Sequence, residues 1–326
     1  MLKQWRALRR RILTPDSAAV RLDVRGFHVK SPEARQLLET IGTTFLTGYG
    51  HAAEAVTVTG AAQRLDAIAT RWRGFAYEGA AMGFAVRDGV TSGRRRLVAD
   101  LLAGPGDAHI YMSYVGVGWA MARLPRLRWS RMTVPDPLLR WLVLDGYGFH
   151  QAYFRTARYV GGHHRDGRLP WPVPARQFGY VDRAVDQGIG RALWFIGGTD
   201  VDRVATLVAG FPASRRADLF SGIGLAATYA GGADGAELQR LWQRAGTYRP
   251  HIAQGSAFAA GARVRAGLVV PHNAVATEVF CGMSPQQAAA VTDAALPTPG
   301  AEDGDVPGFE TWRQRIAAEF VVSGRC

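Results

Sequence analysis

Apolar residues along this chain recur mostly at the three-to-four-residue spacing of helices, and the strict alternation of half-buried strands is scarce. Ser31-Pro32-Glu33 reads as a helix start: a capping hydroxyl, proline at the first helical position and an acid in the first turn. Downstream, Gly60, Gly74, Gly89 and Gly106 punctuate the pattern and predict helices of about 12–18 residues joined at glycine hinges. Near the N-terminus, Trp5, Leu8 and Ile12 share one face of a basic segment. That face predicts a short amphipathic helix that either packs on the body or lies on a membrane surface. After the break at Pro15-Asp16, Val20–Val29 is the one stretch with a β-like pattern. No apolar run approaches the ~20 residues that cross a bilayer. The expected fold is all-α, a multi-helical bundle with a minor β-like segment near its N-terminus.

The chain also repeats itself. Residues 103–124 align without gaps with 245–266. In the same order, Ile41-Gly42 matches Ile189-Gly190, Tyr77-Glu78-Gly79 matches Phe220-Ser221-Gly222, and Val143-Leu144-Asp145-Gly146 matches Val279-Phe280-Cys281-Gly282. Ordered matches of this kind predict an internal duplication, whose halves would pack about a pseudo-twofold axis as homodimers do. The halves span 26–160 and 175–295. A Gly/Pro/His linker, 161–174, joins them. A basic helix and short extended segment (1–25) precede them, and an acidic loop with a final helix (296–326) follows. Small-residue stretches such as 79–83 and 116–118 predict crowded central helices. Each glycine there costs up to ~1 kcal/mol of helix propensity, so close packing or a cavity wall must require it.

Candidate chemistry follows from what the halves do not share. Glu78 stands against Ser221, Asp145 against Cys281 and His150 against Gln286. Structural needs are common to both copies, whereas one chemical site need not be. Glu78, Asp145 and His150 are therefore the catalytic candidates. Glu78, in an apolar run, would have a raised pKa and donate a proton, or else pair with an arginine such as Arg71 or Arg73. Asp145 and His150 are five apart and meet only if Gly146 and Gly148 break the helix; the histidine would then serve as general base. The alternative is a helix-capping aspartate and a core histidine. His109 and His251 are a matched pair that either face each other or cap equivalent helices. With Tyr77, Tyr147 and Gln254 they complete the set of substrate-binding candidates. Two histidines make a poor metal site, and His163-His164 with Asp166 fits no ligand pattern. Nucleotide-binding, zinc-protease and α/β-hydrolase motifs are absent, so no metal is expected and no cofactor is named.

Charge narrows the partners. The formal net charge is +12. It favours an anionic partner such as an acidic carrier protein or a membrane surface, unless the arginines are simply solvated faces. Nucleic acid is disfavoured for want of a helix-turn-helix or an aromatic-basic strand set. Two cysteines give no disulfide framework, and no apolar stretch follows the N-terminal cations as in a secretory signal. Both point to the cytoplasm, with peripheral membrane contact as the one extension.

Several motifs together resemble the UnbL-like enediyne-biosynthesis proteins of actinobacteria (the DUF1702 family), whose function is unknown. They are Arg25-Gly26-Phe27, Phe45-Leu46-Thr47-Gly48-Tyr49, Glu78-Gly79, Asp145-Gly146-Tyr147-Gly148-Phe149-His150, Arg249-Pro250-His251 with Gln254-Gly255, and Phe280-Cys281-Gly282. The resemblance implies a part in enediyne-type polyketide biosynthesis, beside a polyene-producing synthase and other proteins of the same biosynthetic cassette. The implied role is to bind and tailor, cyclise or chaperone a linear polyunsaturated intermediate in an apolar cavity. The alternative is a non-catalytic scaffold that docks a carrier protein, a cassette partner or a membrane. The resemblance carries over no catalytic residue.

Overall fold

The computed structural model describes residues 4, 9–11, 14, 16–91, 96–132, 134–298 and 304–326. They are helical throughout, with no strand among them. Ser31 caps the first long helix, α1 (Pro32–Glu54), by accepting the Ala34 N–H at 3.2 Å. There follow α2 (Val58–Asp66), α3 (Thr70–Val90), α4 (Leu97–Leu102), α5 (Ile110–Arg123), α6 (Trp141–Phe154) and α7 (Phe178–Ile196). The remainder comprises α8 (Val201–Ala209), α9 (Ala213–Ala230), α10 (Gly235–Ala245), α11 (Arg249–Arg265), α12 (Pro271–Cys281), α13 (Pro285–Ala294) and α14 (Gly308–Val322).

Seven of these form a row in which each packs on the next: α1, α3, α5, α6, α7, α9 and α11. Short α2, α4, α8 and α10 carry the chain back between members, so neighbours run the same way. Arg87 near the end of α3 donates to the Ala52 and Ala55 carbonyls at the end of α1, at 2.7 and 3.0 Å. Likewise Arg263 near the end of α11 donates to the Tyr229 carbonyl at the end of α9, at 2.6 Å. The row curls on itself. Phe75 of α3 meets Tyr229 edge-on at 5.2 Å, and Arg263 reaches the Arg71 carbonyl at 3.2 Å.

Glycine pairs two residues apart set the spacing of the row. In α6, a Cβ on Gly146 would fall 2.0 Å from the Val115 carbonyl of α5, and one on Gly148 would fall 2.1 Å from the Val185 carbonyl of α7. Gly188 and Gly190 of α7 do the same to Asp145 and Leu219, at 1.8 and 2.1 Å. Real side chains never sit that close, so these helices touch backbone to backbone. Positions two apart lie on nearly opposite faces of a helix. One glycine therefore admits the preceding helix and the other admits the following one.

Several expectations change. Gly60 lies inside α2, and Gly74 and Gly89 lie inside α3. Gly74 and Gly89 make room for Tyr229 and Leu124 rather than hinges. Val20–Val29 is no strand. Ser17–Val20 is a 3-10 turn, and Leu22–Arg25 is one helical turn closed by Gly26 in the left-handed region at φ 67°. The Glu39 carboxylate accepts the Leu22 N–H at 3.0 Å, which replaces a partner strand. Trp5, Leu8 and Ile12 lie outside the described residues. Of the paired glycines, Gly79 and Gly222 play the same part, each seated on a carbonyl of the preceding row helix. Gly146 and Gly282 do not: Gly146 is central in α6, whereas Gly282 ends α12 at φ 70°. The unit that visibly repeats in the packing is a single helix. No described helix is long and apolar enough to cross a membrane.

Candidate functional site

Inside the curl lies a cavity of about 510 Å³, walled by α1, α3, α5, α6, α7 and α9. Its lining is largely apolar and aromatic, including Phe45, Trp119, Phe149, Tyr153 and Phe195. It reaches the surface beside Arg123 and Arg155, both exposed, at the ends of α5 and α6. A narrow cavity of about 40 Å³ adjoins it on the side of α11 and α14. Met112, Arg191, Leu225 and Tyr229 belong to both walls.

Glu78 faces the main cavity, Asp145 the narrow one, and Arg191 of α7 joins them. Arg191 Nη1 donates to Asp145 Oδ1, and its Nη2 lies 3.7 Å from Glu78 Oε1. Glu78, Asp145 and Arg191 are 3, 3 and 6% exposed, so water screens none of them. Burial pushes Glu78 up to about 7; Arg191 opposes this and the Asp145 charge adds to it. Burial also raises Asp145, outweighing its bond to Arg191. One guanidinium thus serves two buried carboxylates, and near neutral pH Glu78 carries a proton part of the time. The Trp119 indole N–H stabilises the Glu78 charge from nearby. It makes no hydrogen bond of good geometry with any other group.

His150 also lines the main cavity, edge-on to Trp119 at 5.5 Å. Burial pushes it down to about 3, with Arg123 and Arg155 adding to the effect, so the ring is neutral at pH 7. Its Nδ1 is buried without a partner. The broken turn expected to join Asp145 and His150 does not occur. Gly146 and Gly148 are spent on the approach of α5 and α7, α6 runs through them unbroken, and the two side chains face different cavities.

The other candidates lie elsewhere. Tyr77 donates to Asp66 at 2.7 Å and stacks on His109 at 3.8 Å, outside the cavity. Burial pushes His109 down to about 4. Tyr147 donates to Asp166 at 2.8 Å and accepts from Gln151 at 2.7 Å. Tyr159 binds the same Asp166 oxygen at 2.7 Å, so the expected linker is tied to the body. Gln254 accepts from Ser221 at 2.7 Å and Arg313 at 3.2 Å. With His251 it lines a separate pocket of about 180 Å³. His109 and His251 therefore occupy unrelated surroundings. Among the described residues, no group of three His, Cys, Asp or Glu is placed to hold a metal ion.

Arg191 is the site residue that sequence reasoning missed, and Glu78 pairs with it rather than with Arg71 or Arg73. A signal existed. Arg191 directly follows Gly188-Ile189-Gly190, so its charge sits in a helix that must be packed on both faces.

The chain belongs to the DUF1702 family of proteins of unknown function, whose profile matches residues 4–320. No curated protein matches it. Nor does any solved structure.

Proposed function

We propose that this protein binds a linear polyunsaturated polyketide intermediate in the main cavity and tailors or cyclises it by proton transfer at Glu78. The observation that carries the reading is a carboxyl group, 3% exposed and with its pKa pushed up to about 7, on the wall of an otherwise apolar cavity of about 510 Å³. Ligand sites have this size and character, with few polar groups on apolar walls. Protonated Glu78 gives its proton to a chain carbon. The resulting cation is delocalised along the conjugated chain and faced by the rings of Phe45, Trp119 and Phe149. A second double bond supplies the electron pair that closes a ring, and loss of a proton to the Glu78 carboxylate restores the enzyme. The step is a net isomerisation and needs no oxidant. Arg191 and Asp145 hold Glu78 in place and set how readily it gives up its proton.

The resemblance to UnbL-like proteins supports enediyne-type biosynthesis as the setting. The test is Glu78→Gln in the producing host, with metabolites profiled by mass spectrometry. The polyene-derived products should disappear and a linear precursor accumulate. Unchanged products would sink the proposal.

A further inference from the structure

Three arginines surround the cavity opening. Arg123 and Arg155 line it directly. Arg25 lies with its guanidinium 5.3 Å from the ring centroid of Phe154, another wall residue. Among the described residues none of the three has a carboxylate in ion-pair contact, and the buried Arg25 Nε has no partner at all. Other arginines of this chain are paired: Arg191, Arg215 and Arg313 each hold a buried acid. Unpaired cations gathered where an apolar cavity meets solvent are the arrangement that receives an anion. Deeper in, the buried His150 Nδ1 lacks a protein partner, and the Trp119 indole N–H has only the Glu78 carboxyl near it. A polar group of a bound molecule would satisfy such atoms on the cavity wall.

We infer that the cavity takes an amphiphile, with an anionic head, carboxylate or phosphate, held at the opening by Arg25, Arg123 and Arg155, and an extended apolar chain running inward past Trp119 and His150 toward Glu78. A carbonyl or hydroxyl on the chain at the depth of Trp119 would accept its indole N–H. The inference rests on the cavity holding a linear chain, and not on Glu78 acting upon it. The head could be the carboxylate of a free acid or the phosphate of a phosphopantetheine arm; both place an anion at the end of a molecule whose far part is an apolar chain.

The test is a fluorescence titration with cis-parinaric acid, a long-chain conjugated tetraenoic acid, against its methyl ester. The acid should bind about 10-fold more tightly than the ester, a single charge-assisted contact being enough for that ratio. The preference should shrink as salt is raised and vanish in Arg25→Ala/Arg123→Ala/Arg155→Ala. Arg123 and Arg155 are exposed and the Arg25 side chain makes no ion pair, so the variant should keep its native circular dichroism and a near-native melting temperature. Equal binding of acid and ester, no binding of either, or a preference that survives in the variant would overturn the inference. Displacement of the probe by an acyl-phosphopantetheine at lower concentration than by the free acid assigns the head to the carrier arm; the reverse assigns it to the carboxylate. Glu78→Gln should leave the acid preference intact. Unchanged metabolites with that preference present would remove the proposed chemistry and leave this inference standing.

Discussion

Two buried charge clusters of this protein contain the same kinds of groups and differ in balance. Beside α14, Asp218 and Glu310 are held by two arginines. Arg183 meets them at 2.9 and 2.8 Å, and Arg313 at 2.9 and 2.7 Å. Burial works to raise Asp218, but Arg313 and Arg183 outweigh it and hold the carboxyl below its ordinary range. Between α3, α6 and α7, Glu78 and Asp145 share the single Arg191 and both are raised. In the first cluster the paired cations outweigh the burial of Asp218, and the cluster acts as a clasp. Where one cation serves two acids, a proton completes the balance. The cluster short of a cation is the one that borders the large cavity.

That contrast can be broken by experiment. The largest effect should follow Arg313→Met, which leaves two buried carboxylates with one arginine. A loss of about 3–5 kcal/mol is expected in urea denaturation at pH 7. Arg191→Met should cost less, about 2 kcal/mol, because Glu78 can take up a proton once its cation is gone. Equal losses would erase the distinction between the clusters.

A smaller effect tests the scaffold beneath the unbalanced cluster. Gly188→Ala sets a Cβ 1.8 Å from the Asp145 carbonyl, so α6 and α7 must part. It should destabilise by about 1–3 kcal/mol. In the same helix, a Cβ on Gly179 meets nothing within 4 Å, and Gly179→Ala should stabilise by up to ~1 kcal/mol. Thermal melts of the two variants would show whether close approach, rather than glycine content, governs α7.

The last expected effect is a slope. Glu78 is raised in the fold, so the stability it contributes is complete below the ordinary glutamate pKa and is lost as pH rises to about 7. His150 is lowered, so its contribution is complete above the ordinary histidine pKa and is lost as pH falls toward about 3. Denaturation of the native protein between pH 5 and 7.5 should lose at most about 1.4 kcal/mol per pH unit to Glu78. Glu78→Gln should lack that component, and an unchanged slope would mean that Glu78 is ionised throughout.

Much of this is legible in the sequence, for local reasons. Ser31-Pro32-Glu33 announces α1 because capping chemistry is written in adjacent residues. Glu78 and Asp145 stand out because the residues matched to them, Ser221 and Cys281, are not acidic. What stayed hidden depends on distant pairing. Arg191 completes the site from another helix, and no local pattern ties it to Glu78. The glycine pairs were visible as small-residue stretches, but spacing alone does not say that each glycine faces a different helix. For that reason Gly146-Tyr147-Gly148 read as a break in α6, and Gly146 was matched to Gly282. The matched histidines misled similarly, since sequence position does not reveal that His109 stacks on Tyr77 while His251 belongs to a surface pocket.

The residue before the glycine that receives the preceding row helix has a particular status. Glu78, Val115, Asp145, Gln187, Ser221 and Gln254 occupy it, all are buried, all but Val115 are polar, and the carbonyl of each but the last seats a glycine of the next helix. Their main-chain positions are therefore fixed by contacts that take no account of their side chains. Such places behave like sockets in a rack. A relative that changed residues only there would keep the frame and exchange the tool, so a relative with a different ligand should differ at these few interior positions before anywhere on the surface.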